Sequence, residues 1–123
     1  MEDVFYYNEL YDLYNSLLTD KQKEYYEGYY FNDLSLSEMA EDYDVSRNAI
    51  FKQVHNVVEK LIEYENKLHL YEKKNKLLEI IDNIDDKKIK KELEELVWNL
   101  KKRREYGIMF SFYWGVKLYE KRH

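Results

Sequence analysis

The stretch LSLSEMAEDYDVSRNAIFKQVHNVVEKL, residues 34–61, contains the start signals of two helices within one short segment. Ser35 and Glu38 have the spacing of a capping box, in which the side chain of each residue accepts a hydrogen bond from the backbone N–H of the other. Ser46 has the residue type that caps a second helix. Two capped helices this close in sequence predict a helix-turn-helix motif.

The turn between the two helices is predicted at residues 43–45. Asp44 has to supply a left-handed or otherwise irregular residue there, which Asp tolerates less well than Gly but better than most side chains. Ala40 lies where the crossing helices approach closely, so a methyl group fits and a larger side chain would separate them. Val45 is predicted to fill the angle between the helices.

The second helix has two different faces. Its apolar residues recur at spacings of three and four and form one stripe, comprising Ile50, Val54, Val57, Val58 and Leu61. The opposite face carries the side chains that a recognition helix offers to a nucleic-acid groove or to a partner, which are Arg47, Asn48, Phe51, Lys52 and His55. A solvated face without a ligand fits the same pattern, and an ordinary surface residue fits the position of His55.

Three short motifs resemble a known family. They are LT-x-KQ-x-EY at residues 18–25, YYF-x-DLSL-x-E-x-A at residues 29–40 and VSR-x-A at residues 45–49. Together they resemble the YlxM family of small bacterial helix-turn-helix proteins, which are similar to region 4 of sigma factors. The resemblance is close across residues 17–71 and fades beyond them. Asp44 stands where the family usually has Gly.

The YlxM resemblance implies a role linked to the signal recognition particle pathway, because the family is encoded beside the GTPases of that pathway. It also implies a regulatory or RNA-associated function and no enzyme activity.

The composition predicts an all-α fold. The chain has 123 residues, no Pro, three Gly and 37% charged residues, which favours long helices over turn-rich sheet. We expect a three- to four-helix core, winged-helix-like or similar to sigma region 4, with a long recognition helix and additional C-terminal helices. The predicted organisation is a helix-turn-helix domain at 1–66, a helical hairpin at 67–104 and an aromatic and basic extension at 105–123.

Two helices are predicted before the motif. The first should run from about Asp3 to Leu18, and a second capping box at Thr19 and Gln22 should open the next, which ends near Phe31. Both are rich in tyrosine. Because each tyrosine hydroxyl needs water or a partner, the rings of the first helix are expected to border the core and not to fill its centre.

The recognition helix should continue to about Asn66, and apolar spacing predicts a helix over residues 71–84. A further helix, capped by Asp85 or Asp86, carries a narrow apolar stripe comprising Ile89, Leu93, Leu96, Val97 and Leu100. Such a stripe is typical of a seam against another helix, either within the monomer or across a dimer. We expect a homodimer, since closed two-fold dimers are the commonest soluble assembly.

Residues 101–123 begin with a basic patch, Lys101, Lys102, Arg103 and Arg104, and continue as a run rich in aromatic side chains. Gly107 and Gly115 interrupt this run, which is too short to span a bilayer, so no integral membrane span is expected. The segment could fold back on the core, bind a membrane surface or a partner, or be a loosely ordered addition.

The sequence contains no residue pattern that indicates a catalytic or metal site. The chain has no Cys, so thiolate sites are excluded, and His55, His69 and His123 lack the spacing of a metal site. Gly is too scarce for a phosphate loop. We therefore expect no catalytic residue, metal or cofactor. The charged start of the chain does not resemble a signal peptide, which predicts a cytoplasmic protein.

Charge is distributed unevenly along the chain. Residues 1–66 hold 5 Lys and Arg against 15 Asp and Glu, a net of −10, whereas residues 67–123 hold 15 against 10, a net of +5. Nucleic-acid affinity depends on neutralising phosphates, so the acidic half does not favour strong autonomous DNA binding. The prediction is an accessory or regulatory protein that contacts signal recognition particle RNA, DNA or a protein of that particle. The alternatives are a dimeric DNA-binding transcription regulator and a protein-docking module without a nucleic-acid partner.

Overall fold

The structure, a computed structural model, describes residues 3–100. This part of the chain forms six α-helices, which confirms the all-α prediction. They are α1 (Val4–Tyr14), α2 (Asp20–Tyr30), α3 (Leu36–Tyr43), α4 (Arg47–Leu68), α5 (Leu70–Asp82) and α6 (Lys87–Trp98). None of these helices is both long enough and apolar enough to cross a bilayer.

Helix α4 is the centre of the fold, because α1, α2 and α3 all pack against it. Its predicted apolar stripe is buried along its whole length. Val57, Val58 and Leu61 join a core cluster with residues of α1 and α2, while Ile50 and Val54 join a second cluster with Met39 and Ala40. One side of α4 is therefore committed to the core, and the other is left for solvent or a ligand.

The prediction that the tyrosines of the first helix border the core was wrong for Tyr11 and Tyr14. Tyr11, Tyr14 and Tyr26 are at most 1% exposed and lie in the centre of the larger cluster. Their hydroxyl groups find protein partners in place of water: Tyr11 donates to Glu27, Tyr14 to Glu65 and Tyr26 to Asn8. Full burial is tolerated because each hydroxyl is hydrogen-bonded.

The first helix is shorter than predicted. Regular α-helix ends at Tyr14, and Asn15–Leu17 form a turn of 3-10 helix. The buried Asn15 amide donates to the Tyr11 backbone oxygen at 2.9 Å. The capping box of Thr19 and Gln22 then opens α2 as predicted, with both hydrogen bonds formed.

Helices α2 and α3 pack closely at Gly28. A Cβ atom placed on Gly28 would lie 3.1 Å from the Met39 side chain, and the Gly28 backbone oxygen accepts from Leu34 at 3.0 Å. A larger side chain at residue 28 would therefore oblige the Met39 side chain to shift by a few tenths of an ångström.

A buried carboxylate fixes the junction between α4 and α5. Glu65, near the end of α4, is 6% exposed and accepts hydrogen bonds from the backbone N–H groups of Tyr71 (2.9 Å) and Glu72 (3.2 Å) in α5. It also accepts from the Tyr14 hydroxyl at 2.7 Å, and that hydroxyl in turn accepts from the Leu70 backbone at 3.0 Å. Burial, reinforced by Glu65, raises the pKa of Tyr14, so its hydroxyl keeps the donated proton.

A second buried polar contact ties α5 to α1. The Lys74 ammonium lies 3.2 Å from the Glu9 carboxylate, and their side chains are only 5% and 17% exposed. Helix α6 packs chiefly on α5. The Asp86 side chain caps it, as one of the two predicted candidates, through hydrogen bonds from Lys88 and Ile89. The start of α5 is therefore anchored to the core, and α6 extends the hairpin beyond it.

Candidate nucleic-acid interface

Helices α3 and α4 form the predicted helix-turn-helix. Ser35 and Glu38 make both hydrogen bonds of the capping box, and Ser46 caps α4 by accepting from the Ala49 backbone at 3.1 Å. Asp44 adopts the left-handed conformation, with φ 54° and ψ 48°. Ala40 is 9% exposed and packs in the smaller core cluster, as its predicted position between the helices requires.

Replacing Asp44 by glycine is expected to stabilise the protein by up to about 1 kcal/mol, because glycine adopts the left-handed conformation without the Cβ clash. Asp44→Ala, the matched control, should destabilise it, since alanine keeps the Cβ clash and adopts the left-handed conformation less readily than Asp. Urea denaturation of the three proteins measures both changes. A loss of stability in Asp44→Gly comparable to that in Asp44→Ala would contradict the strain argument.

The prediction that Val45 fills the angle between the helices was wrong. Val45 is 41% exposed. Its backbone serves the turn instead, because its N–H donates to the Ala40 oxygen at 3.0 Å. Met39 of α3 and Ile50 of α4, both fully buried, pack together with Ala40 in the smaller core cluster.

The predicted contact residues Arg47, Asn48, Phe51, Lys52 and His55 are all exposed along the outer side of α4, here called the recognition face. The Phe51 ring is the prominent feature of this face, since 56% of the residue is exposed. It lies parallel to the His55 ring, with 6.1 Å between centroids and 5° between planes. His55 Nε2 also lies 3.0 Å from Glu59 Oε1, which fixes its orientation.

Two clefts flank the Phe51 ring. The first, of about 350 Å³, is lined by Leu36, Arg47, Asn48 and Phe51 itself. The second, of about 310 Å³, lies between α4 and the amino-terminal helices and is lined mostly by apolar and aromatic side chains, among them Tyr7, Tyr29, Tyr30, Val54 and Ile62. The structure thus adds Tyr7, Tyr29 and Leu36 to the candidate site. No signal in the sequence links these residues, because they come from three different helices.

The charges around the recognition face are mixed. Arg47 begins α4, where the positive end of the helix dipole adds to its field, and Lys52 follows one turn later. The neighbouring α3 carries Glu38, Glu41 and Asp42. This face is suited to a few directed contacts more than to general attraction of phosphates.

Two further predictions concern other kinds of site. The basic patch Lys101, Lys102, Arg103 and Arg104, like the extension at 105–123, lies outside the described residues. Within residues 3–100 no group of three or more His, Asp or Glu side chains is placed to hold a metal ion.

Comparison with known proteins agrees with the helix-turn-helix geometry. Residues 1–103 match the model of the UPF0122 family, described as "Putative helix-turn-helix protein, YlxM / p13 like". The chain belongs to this family. The match extends past the predicted range of 17–71 and takes in α1 and the hairpin of α5 and α6.

Three proteins of the UPF0122 family are 38–52% identical to this chain over the matched residues. A UPF0122 protein of Mycoplasma capricolum is 38% identical over 103 residues, covering 80% of this chain and 91% of the relative. One from Fusobacterium nucleatum is 46% identical over 92 residues, covering 74% and 88%. One from Shouchella clausii is 52% identical over 66 residues, covering 54% and 61%.

Proposed function

We propose that this UPF0122 protein is a non-catalytic, cytoplasmic accessory or regulatory factor of the signal recognition particle pathway that binds nucleic acid through the recognition face of α4. The observation that carries the proposal is the exposed Phe51 ring beside Arg47 and Asn48 at the start of a capped helix. An aromatic surface next to an arginine and an amide can stack on a base and bond its edge. The link to the pathway rests on the YlxM resemblance.

An RNA target suits this arrangement better than a long DNA duplex. Residues 1–66 carry a net charge of −10, which weakens sequence-independent attraction to duplex phosphates. Sequence-specific RNA recognition instead uses unpaired bases that stack on aromatic rings or arginine planes. The basic patch Lys101–Arg104 would supply phosphate contacts that the amino-terminal half lacks.

A filter-retention assay with signal recognition particle RNA and a DNA duplex of equal length, each at two salt concentrations, tests the proposal. Arg47→Ala and Phe51→Ala are each expected to weaken RNA binding about tenfold or more, because base stacking and bidentate contacts are each worth about 1–3 kcal/mol. Neutralising Lys101–Arg104 should weaken binding uniformly and flatten the salt dependence. Lys73→Ala, an exposed lysine of α5, is the control.

RNA binding that both Arg47→Ala and Phe51→Ala leave unchanged would refute the assignment of the recognition face. A second function, protein docking, is favoured by the apolar cleft that Phe51 shares with Tyr29 and Ile62. In that case the protein should bind a purified GTPase of the pathway, with an affinity that changes little with salt and falls in Phe51→Ala.

A further inference from the structure

Helix α6 of the hairpin exposes apolar side chains next to the face that packs against α5. Ile89 and Leu96 are 48% and 63% exposed, and the half-buried Leu93 lies between them. Their spacings of four and three residues place them on one face of the helix, here called the α6 stripe. Helix α5 has three exposed apolar residues of its own, Leu77, Leu78 and Ile80.

Nothing in the described chain covers the α6 stripe. Helix α6 buries only one residue fully, Val97, in its packing on α5. An amphipathic helix is stable when its apolar face is packed against another element. Two helices cannot enclose two apolar faces, but two such hairpins can form a four-helix bundle.

The charges of α6 indicate which kind of helix could cover the α6 stripe. Its first half carries Lys87, Lys88, Lys90 and Lys91, and its second half carries Glu92, Glu94 and Glu95. A parallel pair of α6 helices would place like charges together. An antiparallel pair places the basic half of each copy against the acidic half of the other. It also aligns the two helix dipoles in opposite directions, which is the favourable arrangement.

We propose that the α6 stripe is the interface of a two-fold symmetric dimer of this chain, in which the two copies of α6 pack antiparallel. Leu93 lies nearest the two-fold axis, and Ile89 of each copy packs against Leu96 of the other. Self-complementarity of this kind is what a two-fold interface requires. The inference is independent of the proposed function, because the α6 stripe and the recognition face lie on different helices and share no residue.

Sedimentation of the full chain at micromolar concentrations tests the interface. The wild-type protein should be a dimer, and Leu96→Glu should raise the dimer dissociation constant at least about tenfold, since it places a charge within the apolar interface. Leu96→Glu should keep wild-type helicity by circular dichroism, because the replaced side chain is exposed. Phe5→Glu, at a residue 71% exposed on α1, is the control and should remain dimeric.

A monomeric wild-type chain overturns the dimer, whether residues 101–123 cover the stripe or nothing does. A dimer that Leu96→Glu leaves intact shows that another surface associates, which also overturns it.

Disulfide cross-linking tests the antiparallel orientation, and it needs no cysteine removal because the chain has none. A mixture of Ile89→Cys and Leu96→Cys chains should form a cross-linked dimer on oxidation, whereas neither variant should do so efficiently alone. Leu93→Cys should cross-link to itself. Efficient self-linking of Ile89→Cys would show parallel helices and refute the orientation.

Discussion

Replacing Glu65 by alanine is expected to lower the free energy of unfolding by at least about 3 kcal/mol. The Glu65 carboxylate accepts hydrogen bonds from the Tyr14 hydroxyl and from the backbone N–H groups of Tyr71 and Glu72. Its removal leaves these buried or half-buried donors without this acceptor, at about 1–3 kcal/mol for each group that stays unsatisfied. Thermal denaturation should show a melting temperature lower by about 10 °C or more.

Glu63→Ala is the matched control for this prediction. Glu63 is on the same helix, but half of its side chain is exposed and its partner is Lys67, at 3.0 Å. Such a solvent-exposed pair contributes little to stability, so Glu63→Ala should leave the melting temperature almost unchanged. Melting temperatures for the two variants within about 2 °C of each other would show that Glu65 does not hold the α4–α5 junction.

Replacing Lys74 by methionine is expected to lower the free energy of unfolding by about 3 kcal/mol. The Glu9 carboxylate is largely buried, and this change removes the ammonium group that lies 3.2 Å from it. The double variant Glu9→Leu with Lys74→Met should recover most of that loss, because the uncompensated charge is then gone. Urea denaturation of the wild type, both single variants and the double variant measures the coupling between the two residues.

Lys73→Met is the control, because the neighbouring Lys73 is exposed and its loss should change stability by less than about 0.5 kcal/mol. If the double variant loses as much stability as the two single variants added together, Glu9 and Lys74 are not coupled, and another contact anchors α5 to α1.

The helix-turn-helix was predictable because its signals are local. A capping box joins residues three apart, so Ser35 with Glu38 specifies the start of α3 whatever the rest of the chain does. The left-handed turn at Asp44 is likewise a property of one residue type between two helices. The stripe on α4 follows from helical periodicity alone. The motifs that resemble the YlxM family include these same capping residues.

The exposed residues of the recognition face were predictable for the same reason, since the side opposite an apolar stripe faces outward. Their surroundings were not. The cleft beside Phe51 combines Tyr7 of α1, Tyr29 of α2 and Leu36 of α3. Only the packing of four helices brings these side chains together, and no spacing in the sequence encodes it.

The sequence by itself determined the helices, their starts and the side of α4 that faces the core. The tertiary structure decided where the polar atoms of the core find partners. Tyr14 bonds Glu65 across 51 residues of sequence, and Lys74 pairs with Glu9 across 65. The first of these contacts provides the partner that lets Tyr14 lie inside the core and not at its border. Periodicity shows which side chains are buried, but a buried hydroxyl or charge is stable only where the fold supplies its partner.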